Sequence, residues 1–316
     1  MIPQVTKTMT RTIGRIIPQA IQKHSWGRTA LIGLPWFWLA LFFLLPFLFV
    51  LKISLSEAAL MQPPYLPFIR GIEDGLVTLA VNFSNYTLIF EDPLYVNALL
   101  NSMQIAAIST LLTLIIGYPM AYAIAKAPKH WRLPLLMLII LPFWTSFLIR
   151  VYAWIGILKN NGLFNNALMW LGITDQPIEI LYTPIAVYIG IVYSYLPFVI
   201  LPLYATLIRM DNSLLEAAAD LGCKPWKQFL TITLPLSLPG IIAGSMLVFI
   251  PVMGEFVIPD LLGGPNSLMI GKLMWTEFFS NKDWPVASAL AVTLLVILII
   301  PFVLWQHYER KQEAKS

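Results

Sequence analysis

Six stretches of this chain are apolar for long enough to cross a bilayer: roughly residues 30–52, 97–124, 133–158, 184–208, 238–259 and 286–306. A helix needs about 20 such residues to span the hydrocarbon core. None of the six alternates polar with apolar positions, which argues against a barrel, and the helix is the open-ended element that satisfies its own backbone in lipid. The pattern predicts an all-α integral membrane protein with six transmembrane helices. It divides the chain into an N-terminal tail (1–29), a six-span domain (30–306) and a C-terminal tail (307–316). The main polar interruption, residues 209–237, falls between the fourth and fifth spans.

Composition agrees with lipid as the solvent. The 316 residues are 58% hydrophobic and 11% charged, against about 25% charged in soluble domains. Mean hydropathy is +0.76. The single cysteine, Cys223, excludes an intramolecular disulfide. The three histidines, His24, His130 and His307, flank apolar segments, and no Cys/His cluster marks a metal site. The basic start, with Lys7, Arg11, Arg15, Lys23 and Arg28, leads into a full-length span rather than a short apolar region with a cleavage site. It reads as a retained tail rather than a targeting peptide.

Charge orients the spans. Six crossings leave both termini on one side. If that side is cytoplasmic, the tails and the segments holding Lys126, Lys129, Arg132, Arg209, Lys224 and Lys227 carry 14 of the 20 basic residues. The positive-inside rule favours that arrangement. The outer segments then carry a net −5 and the inner ones +9. An acidic outer face concentrates cationic solutes, although topological bias alone produces the same asymmetry.

The polar interruption has a design of its own. Ser213-Leu214-Leu215-Glu216 fits a capping box at a helix start. Ala217, Ala218 and Ala219 continue a helix with small side chains that admit a neighbouring surface. Gly222 fits the helix C-cap, where φ > 0 is wanted. Pro225 fits the first turn of a second helix, which Leu234-Pro235 is expected to end. On these grounds the loop is a rigid elbow, which a plain connector between spans could also be. Spacing adds more: Glu216-Ala217-Ala218, then Gly222 after three more residues, nine intervening residues, then Ile232, Leu234 and Pro235. This is similar to the EAA signature of permease subunits of bacterial ABC importers, at every signature position.

The resemblance narrows with Trp144 to Asn161, Gly254 to Gly264 and Asp283 to Ser288, phrases that look like those of spermidine/putrescine importer permeases, the putrescine permease most of all. It covers nearly all of residues 30–306. It implies a type I ABC importer permease fold with Glu216–Gly222 as a cytoplasmic coupling helix. It implies a second homologous permease, two ATP-binding subunits and a periplasmic polyamine-binding protein as partners in the bacterial inner membrane, with no nucleic-acid partner. The chain itself is then no enzyme and holds no cofactor; ATP and Mg belong to the partner ATPase. A phosphate loop needs G-x-x-x-x-G-K-[ST], and Gly271-Lys272 has Asn266 and Leu273 at two of the required positions.

For the cargo, Glu255 stands out. It lies among apolar residues beside Gly254, between Pro251 and Pro259. A charge within a span usually faces a cavity or a partner, and a weakened helix is how transport sites free their backbone. Pairing with Arg150 near the outer end is the competing reading. Trp144, Tyr152, Tyr188 and Tyr195 lie in the outer halves of their spans, and carboxylate plus aromatic faces suits an organic ammonium. An interfacial aromatic belt explains the same residues structurally. Other small solutes, and a proton-coupled secondary transporter, are the alternatives to a polyamine importer.

Overall fold

The computed structural model describes residues 25–67, 69–73, 76–79, 81–264 and 267–313. Most of the expected N-terminal tail therefore lies outside the described residues. The first span is α1 (Ser25–Leu39), a π turn (Ala40–Leu44) and α2 (Leu45–Ser54). A two-stranded antiparallel hairpin follows, β1 (Ile69–Glu73) with β2 (Leu76–Leu79), in register Gly71↔Thr78 and Glu73↔Leu76. Then come α3 (Ser84–Glu91), α4 (Pro93–Lys126), α5 (Lys129–Ile140), a 3₁₀ turn (Leu141–Trp144), α6 (Phe147–Leu158), α7 (Leu163–Trp170) and α8 (Pro184–Leu207). The polar loop holds α9 (Ser213–Asp220), α10 (Pro225–Gln228), a π turn (Phe229–Thr233) and α11 (Leu234–Leu236). The chain closes with α12 (Leu238–Met253), α13 (Val257–Leu262), α14 (Ile270–Trp275), a π turn (Thr276–Ser280) and α15 (Trp284–Glu313).

The fold is helical, as the apolar pattern predicts, but the spans are less uniform. Among the described residues, three helical stretches are long and apolar enough to cross by themselves: Leu31–Ser54, Pro93–Lys126 and Pro184–Leu207. The expected span 133–158 is bent by 91° where α5 gives way to α6, at Pro142 and the non-helical Thr145 and Ser146. The expected span 238–259 stops at Met253, and Val257–Leu262 is a separate short helix. Pro225–Leu236 and α12 form a second bent pair, at 64°. The hairpin, between the first and second expected spans, is an element that the all-helical expectation did not include. Backbone helix also continues through the expected C-terminal tail as far as Glu313.

Prolines are accommodated in one way at two places. Pro46 and Pro235 each follow a π turn, and the residue before each donates its N–H five residues back, Leu45 to the Ala40 carbonyl and Leu234 to that of Phe229. A proline ring clashes with the carbonyl four residues earlier, and the wider turn moves that carbonyl aside. The helix winds one residue past Pro235 and ends at Leu236, beside the expected end at Leu234-Pro235.

At the centre, α4, α8 and α12 pack on one another. Lipid offers no hydrophobic drive for that packing, so close backbone approach between small residues must supply it. A Cβ at Gly117 would meet Val199 Cγ1 at 3.1 Å, and one at Gly244 would meet Val199 Cα at 3.1 Å. Small residues accordingly predominate among the buried positions of α4, Ala98, Ser102, Ala106, Ser109, Thr113, Gly117 and Ala121 beside the larger Tyr95, Ile105 and Ile124. On the flank, α15 packs against α2 and α3.

The segment from Gly254 to Trp275 folds back rather than crossing. Ile270 N–H donates to Ser102 Oγ (2.8 Å) and Asn101 Nδ2 to the Leu268 carbonyl (2.9 Å), pinning it to α4. Gly271 sits so close to the Gly254–Glu255 break that a Cβ there would lie 2.8 Å from the Glu255 carbonyl oxygen and nearer still to that of Gly254. Both obstacles are backbone and cannot rotate away. Gly271→Ala is therefore expected to lower the melting temperature of the detergent-solubilised protein by several degrees, a loss of about 1–3 kcal/mol. Gly156→Ala, with nothing within 4 Å of the new carbon, should leave it unchanged. Equal melting of the two variants would refute the close approach.

Candidate coupling elbow and substrate path

The elbow begins differently from the expected capping box. Asn212 is the residue ahead of α9, and no side chain caps the helix from that position. Asp211 takes the role one residue earlier: its carboxylate accepts from the Ser213 N–H at 2.9 Å. Glu216 stays in the exposed first turn, favourable to the helix dipole. The Ser213 backbone N–H holds the Asp211 carboxyl below the usual carboxylate range. A depressed pKa contributes stability above the unfolded value, about 3.9, and loses it only as pH falls through the lower folded value. The elbow's start is thus insensitive to pH around neutrality.

Its C-terminal corner forms as expected. Gly222 has φ +76°. Cys223 N–H donates to the Ala218 carbonyl (2.9 Å) and Gly222 N–H to that of Ala219 (2.8 Å), the paired bonds of a Schellman motif. Nothing lies within 4 Å of a Cβ at position 222, so glycine is needed for conformation and not for space. Pro225 then opens α10, and Gln228 Nε2 ties back to the Cys223 carbonyl at 2.9 Å.

The elbow is fastened to α4 at both ends. Lys126 Nζ donates to Asn212 Oδ1 at 2.8 Å. At the other end Phe229 meets Tyr118 and Tyr122 edge-on, with centroids 5.5 and 6.2 Å apart. Tyr118 also shares a 2.9 Å hydrogen bond with Ser237. Ile232 and Leu234 are half-buried on this inner side, while Glu216, Ala217 and Pro235 are exposed and Ala218 is half-exposed. Leu221 and Trp226, 89% and 71% exposed, flank the corner. The arrangement is a partly apolar knob fastened at both ends to a central span.

Of the residues expected on a substrate path, two meet. Glu255, 9% exposed, accepts from Tyr195 Oη through Oε2 at 2.7 Å. Its Oε1 accepts the N–H groups of Phe256 (3.2 Å), Val257 (3.0 Å) and Ile258 (3.4 Å). The carboxylate thus satisfies the donors freed where α12 stops and α13 begins. It makes no ion pair with Arg150, whose guanidinium lies over Phe143 at 4.5 Å, with Nε and Nη1 buried and unpartnered. Tyr188 is half-buried on α8 against the core. Trp144 and Tyr152 point away, 79% and 58% exposed.

A second buried carboxylate escaped the sequence reading. Glu277 accepts from Tyr95 Oη and from Asn281 Nδ2, both at 2.9 Å. An acid within the aromatic run Trp275 to Phe279 was the available signal. Each Tyr–Glu pair joins the folded-back segment and its continuation to a central helix, Glu255 to α8 and Glu277 to α4.

Residues 28–313 match the family described as binding-protein-dependent transport system inner membrane component, and the chain belongs to it. It is an ABC importer permease. Among its relatives, the spermidine/putrescine transport system permease protein PotB of Escherichia coli is 41% identical over 270 residues, 85% of this chain and 93% of that protein. PotB of Haemophilus influenzae is 41% identical over 83% of this chain and 87% of its own length. In structure, a bacterial alginate ABC transporter in complex with an alginate-bound periplasmic protein superposes with TM-score 0.68 at 17% identity, covering 93% of this chain and 97% of that one. That likeness concerns the fold.

Two substitutions separate charge from satisfaction at position 255. Glu255→Gln keeps an acceptor for the three N–H groups in its amide oxygen, while its amide nitrogen donates to Tyr195 Oη, and it is expected to fold with near-native melting. Glu255→Ala strands these donors and should cost about 1–3 kcal/mol or more. Melting curves in detergent check both, and equal loss in the two variants would show that the charge itself holds the break.

Proposed function

We propose that this chain is one of two permease subunits of an ATP-driven polyamine importer, with putrescine as cargo. It lies in the bacterial inner membrane as a six-span protein, both termini and the 209–237 loop cytoplasmic. A homologous permease completes the pathway, two ATP-binding subunits receive the elbows, and a periplasmic polyamine-binding protein delivers cargo to the outer loops. ATP-driven closure of the ATPases pushes the elbow. The Lys126–Asn212 and Phe229 contacts convey that movement to α4, and the spans turn to open outward. Hydrolysis returns them. The chain performs no chemistry. The observation that carries the reading is the exposed, Schellman-capped elbow in a chain 41% identical to spermidine/putrescine permeases. The Tyr195–Glu255 pair supports a cationic cargo: a buried carboxylate beside an aromatic face can exchange its hydroxyl partner for an ammonium.

Coupling is tested with Gly222→Asp. An aspartate there adds backbone strain of about 1 kcal/mol and places a negative charge at the negative end of α9. The inserted complex is expected to hydrolyse ATP while losing most uptake, as Glu216→Lys should also do. Normal uptake by correctly inserted variants would refute the coupling role.

Cargo is tested by uptake of labelled putrescine and spermidine into cells lacking native polyamine import, with the whole complex restored. Uptake that requires this chain, weakened by Glu255→Gln, is expected. A complex that hydrolyses ATP but moves neither polyamine would point to another small solute. Transport in vesicles without any ATPase would point to a secondary transporter.

A further inference from the structure

A cleft of ≈ 450 Å³ lies where the ends of α4, α5 and α8 meet the start of the elbow. Lys126, Lys129 and Arg132 line it together with Asn212, and no acidic side chain does. Lys126 reaches Asn212 and lies 5.9 Å from the Tyr122 ring centre. Arg132 is half-buried, its Nε given to the Ala127 carbonyl at 2.8 Å. None of the three cations forms an ion pair among the described residues. Asp211, the nearest acid along the chain, lines the neighbouring cavity with Arg209, and its carboxylate is committed to the Ser213 N–H. The exposed His130 adds no negative charge. Beside the cleft, Trp131 and Leu133 are exposed on the outer surface of α5.

Three convergent cations at the end of a span, next to an exposed tryptophan and leucine, match a ligand with an anionic head and apolar tails. Basic pockets between spans on the cytoplasmic side are where such headgroups lodge, and an arginine fork pairs with phosphate oxygens. We propose that this cleft binds the phosphate headgroup of an anionic membrane lipid. The placement rests on the cytoplasmic orientation of the 209–237 loop proposed above. A phosphate held by Lys129 and Arg132 would also lie beside the Lys126–Asn212 contact, so that the lipid braces the elbow's attachment to α4.

The test uses the intact importer complex in nanodiscs of phosphatidylethanolamine, alone or mixed with phosphatidylglycerol, with retained lipid read by native mass spectrometry. Wild type is expected to retain phosphatidylglycerol. The double variant Lys129→Gln, Arg132→Gln should retain roughly tenfold less or lower still, from two lost phosphate contacts. The charge-preserving pair Lys129→Arg, Arg132→Lys should retain it. Equal retention by wild type and the neutralised variant would overturn the proposal, as would loss in the charge-preserving variant. Displacement of the lipid by inorganic phosphate would assign the cleft to a free anion and overturn the lipid source. Retention that appears only after the ATPase is stripped away would make the cleft a protein interface, with the same consequence. The readout needs no cargo, so failure of polyamine uptake would remove the transport reading and leave this one standing.

Discussion

A helix interrupted in an apolar solvent frees N–H groups that have no water to turn to, and this constraint shapes the end of the molecule away from the 209–237 loop. Where α12 stops, one carboxylate oxygen of Glu255 collects three backbone donors and the other holds Tyr195. Where α14 starts, Ser102 on α4 accepts the Ile270 N–H. The break is therefore closed by side chains from helices on either side, and it becomes a fixed corner. Gly271, pressed against the carbonyls of Gly254 and Glu255, is a result of that closure: the corner is so tight that only a residue without a side chain fits behind it. The same economy appears at Pro46 and Pro235, where a π turn absorbs the clash that a proline brings.

At the opposite end the protein faces water, and rigidity comes from another source. The elbow buries none of the side chains of α9, so packing cannot hold its shape. Local hydrogen bonds do so instead: Asp211 before the first turn, two nested backbone bonds around Gly222, and Gln228 clasping the Cys223 carbonyl. A short helix of eight residues is marginal alone in water. Fastening at both ends to α4 makes it part of the membrane fold.

Much of this was legible in the sequence because it depends on local chemistry. Apolar runs show where helices cross. Gly222 and Pro225 announce a corner through their own backbone preferences, and the structure has that corner. The helix start was misread for a physical reason: Asp211, Asn212 and Ser213 can each offer a side-chain oxygen, and which one caps depends on the angle at which the chain leaves α8. The bend in the expected third span was hidden because prolines also sit inside unbroken helices of this chain, as Pro119 and Pro197 do, and at Gly254 the weakening was visible but not that the helix would stop there. Glu255 was recognisable as a buried charge, but its partner Tyr195 lies sixty residues away, and no spacing rule connects them. Glu277 shows the same limit, since Tyr95 is 182 positions distant.

Phe229 meets both of its tyrosines nearly at right angles, with interplanar angles of 90° and 89°. Rings in that arrangement attract through their charge distributions without interlocking. Pulling the elbow from α4 loses both contacts together, whereas rolling it about the Phe229 ring axis changes either one only gradually. The junction thus behaves as a ball joint. Thrust along the contact would reach α4, while a small tilt of the elbow would leave both ring contacts in place.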